Sequence, residues 1–460
     1  MTVWQKWVNE TRETDVLVVG GGSAGCLAAI RAAEAGAKVL LVEKGHLGRS
    51  GCSTFAAGAI NLCLPEDDQA AWMEEIVTRG EYLADQEWVR LQLAEAWPVA
   101  REVHGWGEKI GRTVLKLGQD GLPDRRRARG NIRTLTSVIY ALPMMDALRA
   151  KVREAGVVVR ERAMATHLLQ DNGRVVGAIA LGTRTGEICA CRARAVILAG
   201  GGCSFKAYYV GNQNLTGEAQ LMAYRAGATL RNLDQAMSNS TARAFDVHGL
   251  SHMVGSGGRF LNRLGEDFTT RYDPALGSRA RLSKLVIGMA QEVEAGRGPI
   301  YLDLSPVSQA DRELLQSVLP GGFRAFARMG VDPFTQPVEW MPAFQGTLAH
   351  GGGVDTDLRS ATGIPGLYAV GDTTSLPVHG TWSITGLNLA FCLVSGQQAG
   401  RHAAAGAAAE AGGWPDIGDQ VASAVHELSA PARRQDGLEP DQVTYALLEA
   451  LIPSRAAYLR

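Results

Sequence analysis

The chain lacks a charge excess, since 46 basic and 47 acidic side chains leave a formal net charge of -1 over 460 residues. No global field gathers nucleic acid or an anionic membrane, so anion chemistry must be built locally. Long apolar runs are missing too. None approaches the roughly 18 residues that span a bilayer, and the start, with Lys6, Glu10, Arg12, Glu13 and Asp15, holds no signal-peptide core. The expectation is a cytoplasmic location without membrane insertion. Seven scattered cysteines, an odd number, do not make a disulfide framework. Cys189 and Cys191 form the only close pair and read as two small side chains on one face of a strand. There is no CxxC series for an iron–sulfur cluster and no CxxCH for haem. No metal site is expected, which leaves an organic group as the redox carrier this chain can hold.

What is present is an α/β rhythm. Asp15 to Val19 is an apolar run entering a glycine cluster; Ala24 to Ala35 carries a small-residue helical pattern stopped by Gly36; Lys38 to Val42 is a second apolar run. A helix follows from about Met144 to Glu154, then a strand at Val157 to Arg160 and a hairpin from Ala163 through Asn172-Gly173 to Leu181. The run Ala195 to Ala199 reads as a buried strand ending in Gly200, Gly201 and Gly202. Between 234 and 342 the rhythm is lost, and it resumes at Gly366 with a strand, a glycine turn and a long helix from about Gly386 to Ala409. The chain therefore predicts an α/β domain in two pieces, 1–233 and 343–411, interrupted by a second domain at 234–342 and followed by a short helical tail at 412–460.

Gly20-Gly21-Gly22-Ser23-Ala24-Gly25 fits G-x-G-x-x-G between two strand-like runs, the second of which ends at Glu43. Gly20 permits the tight turn, Gly22 lets backbone amides approach a pyrophosphate, and Gly25 lets helix and strand pack closely. The pyrophosphate is expected at the positive end of the helix starting near Ser23, and Glu43 is placed to accept the ribose hydroxyls. FAD and NAD share this fingerprint. Gly371-Asp372 ends a second strand with a carboxylate suited to a ribityl hydroxyl, and Gly386-Leu387-Asn388-Leu389 opens a helix whose free amides suit a flavin pyrimidine carbonyl. That order and spacing favour FAD, and no second G-x-G-x-x-G offers a dedicated NAD(P) site.

The residues from Asp15 to about Arg401 resemble the flavoprotein subunits of the fumarate reductase and succinate dehydrogenase superfamily. Gly48 to Cys52 and Ala57 to Asn61 are similar to the segment after the first βαβ unit, with wording closest to the adenylylsulfate reductase α-subunit branch. Thr216 to Ala219 resembles the T-G-D-G turn, Gly257 to Asn262 with Gly265-Glu266 the capping-domain hairpin, Gly298 to Asp303 the capping-domain strand, and Gly351 to Asp357 and His379 to Leu389 the two segments that close the substrate site. The resemblance implies a Rossmann-like FAD-binding domain with an inserted α+β capping domain. It also implies FAD contacts from Lys44, Ser50, Gly51, Cys52 and Gly58, and from Ala163, Gly200, Gly201 and Glu218, beside those from Gly20, Gly22, Ser23, Ala24, Gly25, Glu43, Gly371, Asp372, Asn388 and Leu389.

Departures from the family narrow the expectation. Ser50-Gly51-Cys52-Ser53-Thr54 replaces the S-H-T motif that attaches FAD in complex II flavoproteins, so the flavin is expected to be non-covalent, with Cys52 the alternative attachment point. Val254 stands where fumarate reductases carry an arginine proton donor, and Ser383 where an arginine clamps a dicarboxylate. Without those guanidinium groups a simple fumarate reductase is disfavoured. The resemblance makes Asn61 a neighbour of flavin N5 or of a substrate oxygen, and Arg243 either substrate-facing or merely exposed. His350 and His379 flank the closing segments as proton carriers, with His248 and His252 as second choices and Trp382 as a stacking or packing residue. Arg125 to Arg127 with Arg129 is the one dense basic run; it reads as a solvated loop or a contact to phosphate or a partner. The function expected is hydride or electron-pair exchange with a small polar, anionic substrate. A partner subunit is expected to carry electrons or to complete the helical C-terminal region that such flavoproteins continue into. Two alternatives stay open: a flavin-bearing structural or assembly subunit without its own substrate, and a flavin-dependent RNA-modifying enzyme.

Overall fold

A computed structural model describes residues 8–204, 211, 214–233, 238–344, 352–381, 384–410 and 412–451. Its largest sheet has seven strands. Strand β1 (Glu10–Val19) and strand β2 (Val39–Glu43) flank helix α1 (Ser23–Glu34) in sequence and pair in parallel, Val16 opposite Val39 and Val19 opposite Val42. The strand Val158–Glu161 continues the parallel sheet beyond β2, and Ile188–Leu198 lies on the other side of β1. Ile188–Leu198 then has two further partners. The hairpin strand Arg174–Gly182 pairs antiparallel with its first half, and Leu367–Ala369 pairs parallel with its end, Leu367 opposite Val196. The sheet thus forks, and residues 367–369 join it more than 150 positions after the strand they extend.

Two expected strands near residue 190 are one. The polar alternation through Arg192 and Arg194 hides its continuity, because those side chains are part-exposed with Glu13 and Asp15 as ion partners. Strand β1 also starts earlier than Asp15, since its polar beginning, Glu10 to Thr14, is held by pairing with Cys189 to Ala193 rather than by burial. Cys189 and Cys191 share a face with their sulfur atoms 3.6 Å apart, and both are free and buried.

Both faces of β1 are buried, as a parallel strand requires. Val16 and Val18 pack with α1 and the helices Gln86–Lys109, Ala141–Glu154 and Leu387–Ala408; Leu17 and Val19 pack toward Ala219, Met222 and Ala223 of the helix Glu218–Arg225. Small residues let α1 and Leu387–Ala408 nearly touch. A Cβ at Gly396 would lie 2.5 Å from the Ala24 oxygen and one at Gly400 2.4 Å from the Ala28 oxygen. Either is too close for real atoms, so only glycine allows this crossing.

The interrupting stretch has its own core around Phe260, Phe268, Leu302 and Trp340. Four strands, Ser238–Ala242, Val338–Phe344, Ile300–Asp303 and Arg259–Leu261, pair antiparallel in that order. It is more helical than its loop-like sequence predicts. Leu282–Glu294, Gln309–Val318 and Pro320–Arg328 are helices whose apolar positions face one way, for example Leu314, Leu315 and Val318. The buried Glu292 carboxylate accepts from Arg297 at 2.7 and 2.8 Å and from Asn262 at 3.0 Å, tying a helix to the hairpin after Arg259–Leu261. Beyond residue 412, the helix Gly418–Ser429 lays Ile417, Val421 and Val425 against Leu169, Val176 and Ile179 of the hairpin, and the helix Pro440–Leu451 follows. Among the described residues no helix is long and apolar enough to cross a membrane.

Candidate functional site

At the C-terminal ends of β1 and β2 the glycine turn opens a cleft with about 800 Å³ of open space. Gly20, Gly22, Ser23, Ala24, Glu43 and Lys44 form its floor. Gly20 has φ +109°, and a Cβ at Gly25 would fall 2.0 Å from the Gly20 oxygen and 3.0 Å from the Ala199 Cβ. Turn, helix and strand therefore meet as closely as the spacing predicts. Gly22, which has no side chain to cap α1, leaves the N-terminal end of the helix at the cleft.

Ser50, Gly51 and Cys52 supply one wall, Ala163, Gly200, Gly201 and Glu218 another, and Gly371 with Asp372 the far end. Gly25, Gly58, Asn388 and Leu389 are not among the residues that line the cleft. Asn388 donates to the Asp372 carboxylate at 2.9 Å and the Cys392 thiol approaches it at 3.7 Å, which fixes how that carboxylate is presented. The Lys44 ammonium donates to Thr216 at 3.0 Å and pairs with Glu218, whose other oxygen accepts from Thr216 at 2.6 Å.

Glu43 does more than the sequence reading assigned it. One carboxylate oxygen accepts from the Gly21 amide at 2.7 Å and the other from the Gly45 amide at 2.8 Å, so it braces both turns of the cradle. Burial pushes its pKa up, while those two amides pull it down. Ser53 was missed by sequence reasoning. Its hydroxyl accepts from the Ser23 amide at 3.0 Å and lies 3.0 Å from the Ser23 hydroxyl, closing the cradle from above. The only signal for it was the serine-rich segment around Cys52. The Cys52 thiol donates to the Gly211 oxygen at 3.2 Å, and burial together with the Asp372 charge pushes its pKa up to about 12, so it stays a thiol rather than a nucleophilic thiolate.

Beside the cleft, a three-stranded sheet of Ala59–Asn61, Thr136–Val138 and Arg125–Arg126 faces the cap. Asn61 is buried, its amide nitrogen donates to the Leu135 oxygen at 3.1 Å, and its backbone amide donates to the Gly386 oxygen at 2.9 Å. Since only the NH2 end can donate to a carbonyl, the buried Asn61 Oδ1 is left as an acceptor, and no described residue donates to it. His379 is buried, with its main-chain oxygen against Gly80.

Several expectations change. Arg243 stands on the outer surface of the cap, 66% exposed and paired with Glu339 at 2.7 Å, so the fold does not bring it to the site in this conformation. His350, Trp382 and Ser383 lie outside the described residues. Val254 is 2% exposed within the cap core and presents no polar atom where the family carries an arginine. His248 and His252 are structural: each hydrogen-bonds a backbone carbonyl, of Phe55 and Gly58 respectively, and burial depresses each pKa to about 4. They are neutral pins between cap and cradle. The arginine run is no solvated loop, because Arg125 pairs with Asp67 at 2.6 Å, Arg126 with Asp311 at 2.8 Å, and Arg129 is buried.

The comparisons agree with this geometry. A family model described as an FAD binding domain matches residues 15–389. The chain is a member of the fumarate reductase/aspartate oxidase family of flavoproteins. It is 30% identical over 424 residues to the fumarate reductase flavoprotein subunit of Mycobacterium tuberculosis, covering 86% of this chain and 70% of that one. To the L-aspartate oxidase of Caulobacter vibrioides it is 31% identical over 407 residues, covering 85% and 76%. In fold it matches the E. coli quinol fumarate reductase with a TM-score of 0.84 at 24% identity, over 96% of this chain and 79% of that one. Adenylylsulfate reductase from Archaeoglobus fulgidus matches with a TM-score of 0.68 at 20% identity, over 98% and 75%. This member of the family is an FAD-dependent oxidoreductase, and its cleft fits FAD through a glycine cradle, the N-terminal end of α1 and a carboxylate at each end.

Proposed function

We propose that the chain binds FAD non-covalently and exchanges an electron pair with a small polar, anionic substrate, as the flavoprotein subunit of a larger redox complex. When bound, FAD supplies the two-electron chemistry at its N5. The α1 amides beside Gly22 would hold the pyrophosphate, Glu43 the ribose, Asp372 the ribityl chain, and the first amides of the helix Leu387–Ala408 the pyrimidine edge. Asn61 would accept a hydrogen bond at Oδ1 from a donor at the reacting centre, and His379, with His350 in the closing segment, would move the proton. The cap excludes water, held over the cradle by His248 and His252. A cytoplasmic setting remains part of the proposal.

The observation that carries this reading is the cradle itself: the amides of a glycine turn and α1, braced by Glu43 and Ser53, open into one cleft that ends at Asp372. The relative named as a flavoprotein subunit supports a partner for the electrons. Val254 in the cap core supports a substrate other than one handled by an arginine at that position. The test is to purify the chain, record its spectrum and precipitate it with acid. FAD in the supernatant is expected, together with bleaching or recovery of flavin absorbance by a small anionic reductant or oxidant. Protein that is colourless and cannot be reconstituted with FAD would overturn the proposal. Full turnover by the isolated chain, with no copurifying polypeptide, would remove only its role within a complex.

A further inference from the structure

A second hollow, with about 640 Å³ of open space, lies apart from the flavin cleft and is lined by Arg160, Glu161, Arg162, Arg184, Thr185 and Glu187. Two short polar stretches supply it. Arg160 to Arg162 end the strand Val158–Glu161, and Arg184 with Thr185 belongs to the hairpin loop that follows Arg174–Gly182. The antiparallel pairing of Ala163 with Gly182 brings the two stretches together.

Arg162 turns the chain between two strands in a single residue, with φ +56°. Glycine adopts that conformation freely, whereas a side chain there sets Cβ against the following carbonyl. Bonds on both sides hold it. The Arg162 amide donates to the Gly45 oxygen at 2.9 Å, and the Arg162 oxygen accepts from the Thr183 amide at 2.8 Å and from its hydroxyl at 3.2 Å. A strained corner that glycine would make more easily points to a use for the arginine side chain. One guanidinium nitrogen donates to His46 Nε2 at 3.0 Å. Arginine has no acceptor, so His46 carries its proton on Nδ1 and donates to Glu161 at 2.8 Å. Glu161 also accepts from the Leu47 amide at 3.0 Å.

The carboxylates of the hollow are thereby committed. Glu161 is held by His46 and Leu47, and Glu187 lies 3.9 Å from Arg160, which also pairs with Glu10. Among the described residues no carboxylate forms an ion pair with Arg162 or Arg184. Two guanidinium groups without a counter-charge line one hollow. We infer that this hollow binds a phosphate group between Arg162 and Arg184, with the Thr185 hydroxyl as a further donor. A dianion offsets both charges at once where a carboxylate offsets one, and each planar fork takes two phosphate oxygens. Arg184 and Thr185 are exposed, so the phosphate of a nucleotide fits as well as the free ion. The flavin pyrophosphate has its own cradle at Gly22, and this site is additional to it.

The test is calorimetric titration of the FAD-loaded chain at pH 7.5 and constant ionic strength with inorganic phosphate and, separately, with AMP. A Kd of about 1 mM or tighter is expected for at least one of them. Tighter binding of AMP by tenfold or more assigns a nucleotide, and any smaller advantage assigns the free ion. In Arg162→Gly and in Arg184→Gln the Kd should rise at least about tenfold with FAD content unchanged, since neither residue lines the flavin cleft. A smaller rise in either would overturn the inference, as would a Kd weaker than about 1 mM for both ligands with the unaltered chain. If Arg162→Gly does not fold, Arg184→Gln in the exposed loop decides alone. Arg243→Gln, which removes one charge from the outer surface of the cap, should leave the Kd within about twofold. A rise there as large as in Arg184→Gln would mean an effect of bulk charge and would also overturn the site.

Discussion

Replacing His252 by leucine separates the burial of a neutral histidine from every other source of acid sensitivity. The ring is 2% exposed, burial depresses its pKa to about 4, the Gly58 carbonyl partly opposes this, and the charge of Arg126 adds to it. An unfolded histidine takes up a proton near pH 6.5. Between those two values the unfolded chain binds more protons than the folded one, so stability is intact above pH 6.5 and is lost progressively as pH falls towards 4. At pH 5 this linkage amounts to about 2 kcal/mol for His252 alone. Leucine at 252 leaves the Gly58 carbonyl unpaired and costs about 1 kcal/mol at every pH, but it removes the titration. The assay is denaturant unfolding of the FAD-loaded protein at pH 7.5 and pH 5.0. The unaltered chain should lose about 2 kcal/mol more across that interval than His252→Leu, since His248 is present in both. Equal losses within about 0.5 kcal/mol would refute the reasoning, and would mean that cap and cradle separate before His252 is asked to charge.

Further outcomes follow from other contacts. Gly25→Val places carbon inside the van der Waals radius of the Gly20 oxygen, and should abolish FAD retention and lower stability by about 3 kcal/mol, read by flavin content and thermal melting. Glu75→Ala strands the amides of Ile132, Arg133 and Thr134, which its buried carboxylate anchors, and should destabilise by about 3 kcal/mol or more, with weakened cap closure seen as faster proteolysis; a change under about 1 kcal/mol would contradict the anchoring role. Asn61→Leu should leave FAD content unchanged and lower the flavin midpoint potential by about 20–30 mV, the equivalent of one hydrogen bond to the reduced form, measured by dye equilibration. Arg243→Ala, at an exposed ion pair, should alter stability by less than about 0.5 kcal/mol and leave turnover unchanged.

The local α/β elements and the cradle were legible because their physics is local. A glycine turn between two apolar runs leaves little choice of conformation, and Gly20, Gly22 and Gly25 stand where the spacing puts them. The hairpin turn at Asn172-Gly173, with φ of 47° and 78°, is legible for the same reason. What the sequence by itself determined is therefore the βαβ unit, its glycine turn and the class of cofactor it suits. Tertiary structure decided which polar side chains serve that cleft and which serve the fold. Glu43 spends both oxygens on the turns, Ser53 arrives from 30 residues away to cap Ser23, and Arg243 faces solvent while Arg129 is buried. A charged residue reads the same on a surface loop as at a domain junction, because what its loop bonds to, here Thr385 at the Arg129 oxygen and the Arg279 oxygen at the Gly130 amide, is distant in sequence. Burial and pairing arise only when the chain closes on itself.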